Sequence, residues 1–166
     1  CGPKYFTYIN QELPTLCRRF FGIQPVPERT YIMGLSMGGY GAMKCAFTAP
    51  QQYAGCAGFS SVAEIQAELP QLCRWHEDQA IFPHGIVPPQ DDLFDLVEKF
   101  RDGTCPMPRL FLACGQQDSL YPANLRLRDT LQAMNCPLTW YEAPGDHNWF
   151  FWNDALGRAM KELLDN

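Results

Sequence analysis

The chain has 166 residues, with 13 Lys and Arg against 18 Asp and Glu and a formal net charge of −5. Hydrophobic residues make up 46% and aromatics 13%, which excludes a disordered chain, and a single domain of this length can bury a core of its own. Without any basic cluster the acidic balance excludes a nucleic-acid partner, and no apolar run approaches the roughly 20 residues that would cross a membrane.

Tyr5 to Phe20 places Tyr5, Tyr8, Ile9, Leu13, Leu16, Cys17 and Phe20 at spacings of three and four, which predicts an amphipathic helix with Pro14 as a point of kinking. Gln24-Pro25-Val26-Pro27-Glu28 reads as a turn. Thr30, Tyr31 and Ile32 then suit a buried strand, and Met37 to Ala49 suits a helix stopped by Pro50. Between strand and helix stands Gly34-Leu35-Ser36-Met37-Gly38, a G-x-S-x-G pattern. A serine at the apex of so sharp a turn is forced into strained backbone geometry. The flanking positions must lack a Cβ where strand and helix approach, a need that Gly34, Gly38 and Gly39 meet. The turn also sets the Ser36 hydroxyl at a helix N-terminus, where unpaired backbone N–H groups, that of Met37 first, can hold an oxyanion. Taken bare, the pattern equally fits a glycine-rich turn with an incidental serine. Its place between a strand and a helix favours a nucleophile elbow.

Tyr53 to Phe59 is a small-residue strand. Ser61 to Gly103 lacks strand patterning and contains Pro70, Pro83, Pro88 and Pro89, so it is expected to be an insertion of short helices forming a lid or pocket wall, its best helix being Asp91 to Phe100. Arg109 to Cys114 is a near-continuous apolar run, as in a parallel strand buried on both faces, and Gly115 ends it. A helix over Asn124 to Met134, a strand over Leu138 to Glu142 closed by Pro144-Gly145, and a final helix over Asn148 to Leu164 complete the chain. Strands alternate with helices, which implies one α/β domain over residues 1–166 with a parallel sheet and right-handed crossovers.

In open parallel sheets the chemistry collects beyond the carboxyl ends of the strands. Asp118 follows the Arg109 strand and His147 follows the last strand. A serine hydroxyl is a weak nucleophile until an imidazole takes its proton, and the imidazole needs a carboxylate to fix its tautomer and stabilise its charged form. Ser36, Asp118 and His147 supply these roles, in the chain order Ser, Asp, His. His76 and His84 lie in the insertion and are weaker candidates for the base. Asp146 adjoins His147 and suits a turn better than the acid position. Leu35, Leu120 and Trp149 are the candidate substrate contacts; at helical spacing, however, Trp149, Phe150, Phe151 and Trp152 fit a core as well as an acyl pocket. The eight cysteines, Cys1, Cys17, Cys45, Cys56, Cys73, Cys105, Cys114 and Cys136, form no C-x-x-C pair, which leaves zinc unsupported. They are read as reduced core thiols of a cytoplasmic protein.

Gly34-Leu35-Ser36-Met37-Gly38-Gly39-Tyr40-Gly41-Ala42, Cys114-Gly115-Gln116-Gln117-Asp118-Ser119-Leu120-Tyr121 and Gly145-Asp146-His147-Asn148-Trp149 together resemble the Putative esterase family, which includes tributyrin esterases, S-formylglutathione hydrolases (esterase D) and feruloyl esterases. The resemblance implies an α/β-hydrolase fold, a three-layer sandwich. It also implies hydrolysis of short-chain or aryl carboxylic esters, of acetyl, butyryl or feruloyl type, through an acyl-enzyme, with Ser36 as nucleophile, Asp118 as acid, His147 as base and no cofactor. Members of that family carry several strands before the elbow, and the loop donating a second oxyanion N–H, whereas only 35 residues precede Ser36 here. The chain is therefore expected to be the C-terminal part of a longer enzyme, with no candidate for the second donor and an unpaired edge on the elbow strand. Expected partners are a small-molecule ester and, at that edge, the missing N-terminal segment or a second copy. An acyltransferase using the same triad, and an inactive fragment or binding module on the same scaffold, are the competing readings.

Overall fold

Four short segments rich in β-branched, aromatic or small apolar residues pair as a parallel sheet: β1 (Tyr31–Leu35), β2 (Gly55–Phe59), β3 (Arg109–Gly115) and β4 (Leu138–Ala143), in the spatial order β1-β2-β3-β4. The residues described by this computed structural model are 4–72 and 81–165. In the register, Ile32 lies opposite Cys56, Cys56 opposite Leu110 and Leu110 opposite Leu138. That row faces one core, while the alternate row Met33, Ala57 and Phe111 faces the other.

Each crossover moves one strand further in the same direction, so a constant hand puts the connecting helices on a single face. Helices Met37–Thr48, Ile65–Leu72, Leu93–Val97 and Tyr121–Ala133 share that face, where Met43, Phe47, Ile65, Leu93, Val97, Leu127 and Leu131 pack against Cys56, Leu110 and Leu112. The last helix, Trp149–Leu164, covers the opposite face through Phe151, Trp152, Ala155, Ala159 and Leu163. This is the three-layer α/β-hydrolase arrangement expected from the sequence. β2 is fully buried, whereas β1, hydrogen-bonded only to β2 among the described residues, is half-buried along its whole length.

Boundaries differ from the sequence reading where local chemistry shifts them. The N-terminal helix is a turn at Tyr5–Thr7, a π-helical stretch Tyr8–Glu12 and a regular helix Leu13–Phe21. Pro14 has no N–H to give the Asn10 carbonyl and its ring crowds that position, so the preceding turn widens. Its apolar stripe does not face the core: Tyr5 is 71% exposed and Phe20 67% exposed, and only Asn10 is buried, its side-chain oxygen accepting from the Tyr53 hydroxyl. The helix placed over Asp91 to Phe100 starts at Leu93, because Asp92 caps it by accepting from the amides of Phe94 at 2.8 Å and Asp95 at 3.4 Å. The helix placed from Asn124 starts at Tyr121, with Pro122 in its first turn.

Within the insertion the described residues form short helices, one of which contains Pro70. The Tyr40 hydroxyl donates to the Asp91 carbonyl at 2.6 Å and Lys44 pairs with the Asp91 carboxylate, tying the insertion to helix Met37–Thr48. His76 lies outside the described residues. The described cysteines, Cys17, Cys45, Cys56, Cys105, Cys114 and Cys136, are free thiols; Cys1 and Cys73 lie outside the described residues.

Candidate active site

Ser36 follows β1 directly and has φ 56° and ψ −123°, a positive-φ conformation that a non-glycine residue adopts only when its surroundings over-determine it. Its amide donates to the Phe59 carbonyl at 2.9 Å, and its carbonyl accepts from the amides of Gly39 at 3.0 Å and Val62 at 3.3 Å. Two glycines make the turn possible. A Cβ on Gly34 would stand 2.1 Å from the Gly38 carbonyl oxygen, and one on Gly39 would stand 2.2 Å from Ser61 Oγ. Gly38 is different from what the pattern suggested: a Cβ there would meet nothing within 4 Å, so close approach does not require glycine at that position. Met37 is the first residue of its helix, so its N–H has no intrahelical carbonyl to meet.

The loops after β3 and β4 bring up the other two groups. The Gln117 amide donates to the Gly145 carbonyl at 2.9 Å, and the Gly145 amide donates to Gln117 Oε1 at 2.5 Å. Contact between the loops is so close that a Cβ on Gly115 would stand 2.4 Å from the Gly145 oxygen. Beyond this lacing Asp118 is buried, at 3% exposure, and its Oδ1 accepts the Leu120 amide at 2.9 Å. Glu142, near the end of β4, accepts from Trp140 Nε1 at 2.7 Å and the Tyr121 hydroxyl at 2.9 Å. These hydrogen bonds, that of Trp140 foremost, hold its carboxyl below the usual range and fix the strand end that leads to His147.

Ser36, Asp118 and His147 meet. His147 Nε2 lies 3.0 Å from Ser36 Oγ, and His147 Nδ1 lies 2.9 Å from Asp118 Oδ2. With Nδ1 carrying the proton and donating to the carboxylate, Nε2 is free to accept from the serine hydroxyl. Asp146 is exposed and accepts the His147 backbone amide at 2.7 Å, a turn contact that does not reach the ring. His84 sits on an exposed turn at φ 63°. Asn148 caps the final helix, its Oδ1 accepting from the amides of Phe150 at 3.1 Å and Phe151 at 3.4 Å, so the helix begins two residues after His147 and holds it at the sheet rim.

Of the candidate substrate contacts, Leu120 is 6% exposed and packs in the core beneath the connecting helices, offering the site its amide rather than its side chain. Leu35 is half-buried against the core of the final helix. Trp149 is 62% exposed, edge-to-face with Trp152 at 5.5 Å. The sequence pattern passed over Gln117 and Asn148, although an Asn directly before an apolar helical run is a recognisable cap signal. Cys114, near Asp118, is a protonated thiol, because burial and then the Asp118 carboxylate push its pKa up to about 12. Among the described residues no three His, Cys, Asp or Glu side chains are grouped as metal ligands, and no helix is long and apolar enough to cross a membrane.

Comparison with known proteins matches the family described as Putative esterase to residues 1–94. An acetyl esterase of Caldicellulosiruptor saccharolyticus is 28% identical over 168 residues, spanning 95% of this chain and 63% of that protein. Among solved structures, FphF, a fluorophosphonate-binding serine hydrolase of Staphylococcus aureus, superposes with a TM-score of 0.86 at 30% identity over 99% of this chain and 65% of that one. The S-formylglutathione hydrolase FrmB of the same organism superposes with a TM-score of 0.80 at 30% identity, covering 96% of this chain and 60% of that one. The chain thus spans less than two thirds of the length of each of these three proteins.

Proposed function

The chain belongs to the family described as Putative esterase, and on that premise we propose that it carries the catalytic triad of a serine hydrolase of carboxylic esters. The observation that supports this most directly is the unbroken sequence of contacts from Ser36 Oγ to His147 Nε2 at 3.0 Å and from His147 Nδ1 to Asp118 Oδ2 at 2.9 Å. In this reading Ser36 Oγ attacks the ester carbonyl carbon while its proton passes to His147 Nε2. The buried Asp118 carboxylate stabilises the imidazolium that forms, and the Met37 N–H receives the negative charge developing on the carbonyl oxygen. Nε2 returns the proton to the departing alcohol, which leaves an acyl group on Ser36. A water molecule, deprotonated by Nε2 in its turn, then attacks the acyl carbon and frees the acid and the serine.

Short-chain acyl groups are the favoured substrates, in keeping with the acetyl esterase among the relatives, and aryl esters fit the exposed indole of Trp149 beside the site. Reduced thiols such as the buried Cys45, Cys56 and Cys114 support a cytoplasmic location. Incubation with a fluorophosphonate should add one phosphonyl group to Ser36, located by peptide mass, and Ser36→Ala should abolish the adduct. A folded chain that takes no label, or takes it equally in Ser36→Ala, overturns the proposal.

A further inference from the structure

Two hydrogen bonds hold the His147 imidazole, with Asp118 at Nδ1 and Ser36 at Nε2. These hydrogen bonds and the Cβ–Cγ bond set the position of the ring, and a rigid neighbour packed against it limits the rocking that remains. The indole of Trp152 is that neighbour. Its ring stands nearly perpendicular to the imidazole, at 87°, with centroids 4.9 Å apart. Trp152 itself is fixed, being 8% exposed and donating its indole N–H to Ser60 Oγ at 3.0 Å.

Ser60 is not an ordinary acceptor. It is fully buried, follows directly on β2 and has φ 46°, a positive-φ conformation costly for serine. That turn directs its hydroxyl at the indole. The residue before it, Phe59, accepts the Ser36 amide through its carbonyl at 2.9 Å. One dipeptide at the end of β2 therefore anchors the backbone of the candidate nucleophile and, through Trp152, the wall behind the candidate base.

We propose that Ser60 and Trp152 are positioning residues that set the tilt of the His147 ring, so that Nε2 points at Ser36 Oγ by way of the Ser60–Trp152 hydrogen bond. The inference rests on the triad reading above. It makes Trp152 part of the catalytic support rather than only of the core, and it gives the strained Ser60 a purpose.

The test uses Trp152→Phe, which keeps a ring against His147 but has no N–H, and Ser60→Ala, which keeps the Cβ and its backbone demand but removes the acceptor. Each should lower the rate of p-nitrophenyl acetate turnover and of fluorophosphonate labelling by about 10- to 100-fold, the order expected for sub-ångström misplacement of a reacting group. KM should stay within about 2-fold of the unmodified chain. Because both changes break the same hydrogen bond, the double variant should be no slower than the slower single one. A readout independent of turnover is the proton on His147 Nδ1, followed by NMR, which should broaden or shift in both variants while their folded spectra are kept. Rates equal to the unmodified chain in either variant, losses that multiply in the double variant, or an undisturbed Nδ1 proton each overturn the proposal. Absence of label on Ser36 in the unmodified chain would instead fail the triad reading, and the Nδ1 proton would still report on the Ser60–Trp152 support.

Discussion

Replacing Asp118 by Asn keeps the shape of the side chain and inverts the logic of the proposed triad. Asp118 Oδ1 accepts the Leu120 amide at 2.9 Å, while Oδ2 faces His147 Nδ1 at 2.9 Å, and the side chain is fully buried. An asparagine there has one tolerable orientation. Turned the other way, its NH2 would oppose the Leu120 N–H in a site closed to water, leaving two donors without an acceptor. The oxygen therefore stays on Leu120 and the NH2 meets His147. Nδ1 must then offer a lone pair, which moves the ring proton to Nε2, the atom 3.0 Å from Ser36 Oγ, and the base can no longer take the serine proton. The expected fall in kcat is about 10³- to 10⁴-fold, equivalent to roughly 4–5.5 kcal/mol on the barrier, with KM little changed. The assay is turnover of p-nitrophenyl acetate together with the rate of fluorophosphonate labelling, with Asp146→Asn measured in parallel. Among the described residues the Asp146 side chain meets only the His147 backbone amide, and it is exposed, so its variant should stay within about 3-fold of the unmodified chain. An Asp118→Asn protein keeping more than a tenth of the rate, or an Asp146→Asn protein losing as much, would refute the assignment of the acid.

The other expectations concern the scaffold. Gly34→Ala drives a Cβ into the Gly38 backbone and should cost at least about 3 kcal/mol in urea unfolding, whereas Gly38→Ala, whose Cβ meets open space, should be neutral or stabilise by up to about 1 kcal/mol. Gln117→Ala removes the acceptor for the Gly145 amide between the acid and base loops, and should lower kcat by about 10-fold with KM unchanged in steady-state assays. Burial raises the thiol pKa of Cys45 to about 11 and of Cys114 to about 12, above their ordinary value of 9.0. The unfolded chain then loses these protons first, so the contribution is complete below pH 9.0 and is lost as pH rises towards 11 and 12. Urea midpoints should fall between pH 8.5 and 10.5, and Cys45→Ala/Cys114→Ala should show a shallower fall.

What the sequence reveals is what neighbours in the chain decide. The apolar run Arg109 to Cys114 announces β3 because a strand buried on both faces admits little else, and Gly-x-Ser-x-Gly announces the elbow because few residues survive its turn. The same pattern does not say which glycine faces a wall: Gly34 and Gly39 do, and Gly38 does not, a distinction set by the crossing of helix and strand. Helical periodicity over Tyr5 to Phe20 marks an apolar stripe but not what covers it, and Tyr5 and Phe20 stay exposed among the described residues. Pro122 and Asp92, read as a first-turn proline and a cap, would have corrected two helix starts.

The supports of the proposed triad lie beyond that reach for a physical reason. Gln117 meets Gly145 and Ser60 meets Trp152 across gaps of 28 and 92 residues, and both contacts depend on the register that stacks β2, β3 and β4 side by side. At spacing 152, 155, 159 and 163 a tryptophan is a core residue, and Trp152 is one, packed with Ala155 and Ala159. The core of the final helix ends at the rim of the sheet, where its last aromatic ring meets the imidazole of His147. A side chain can therefore obey the periodicity of a core and still pack against the proposed base, because in a parallel sheet the end of the core and the start of the candidate site are the same surface.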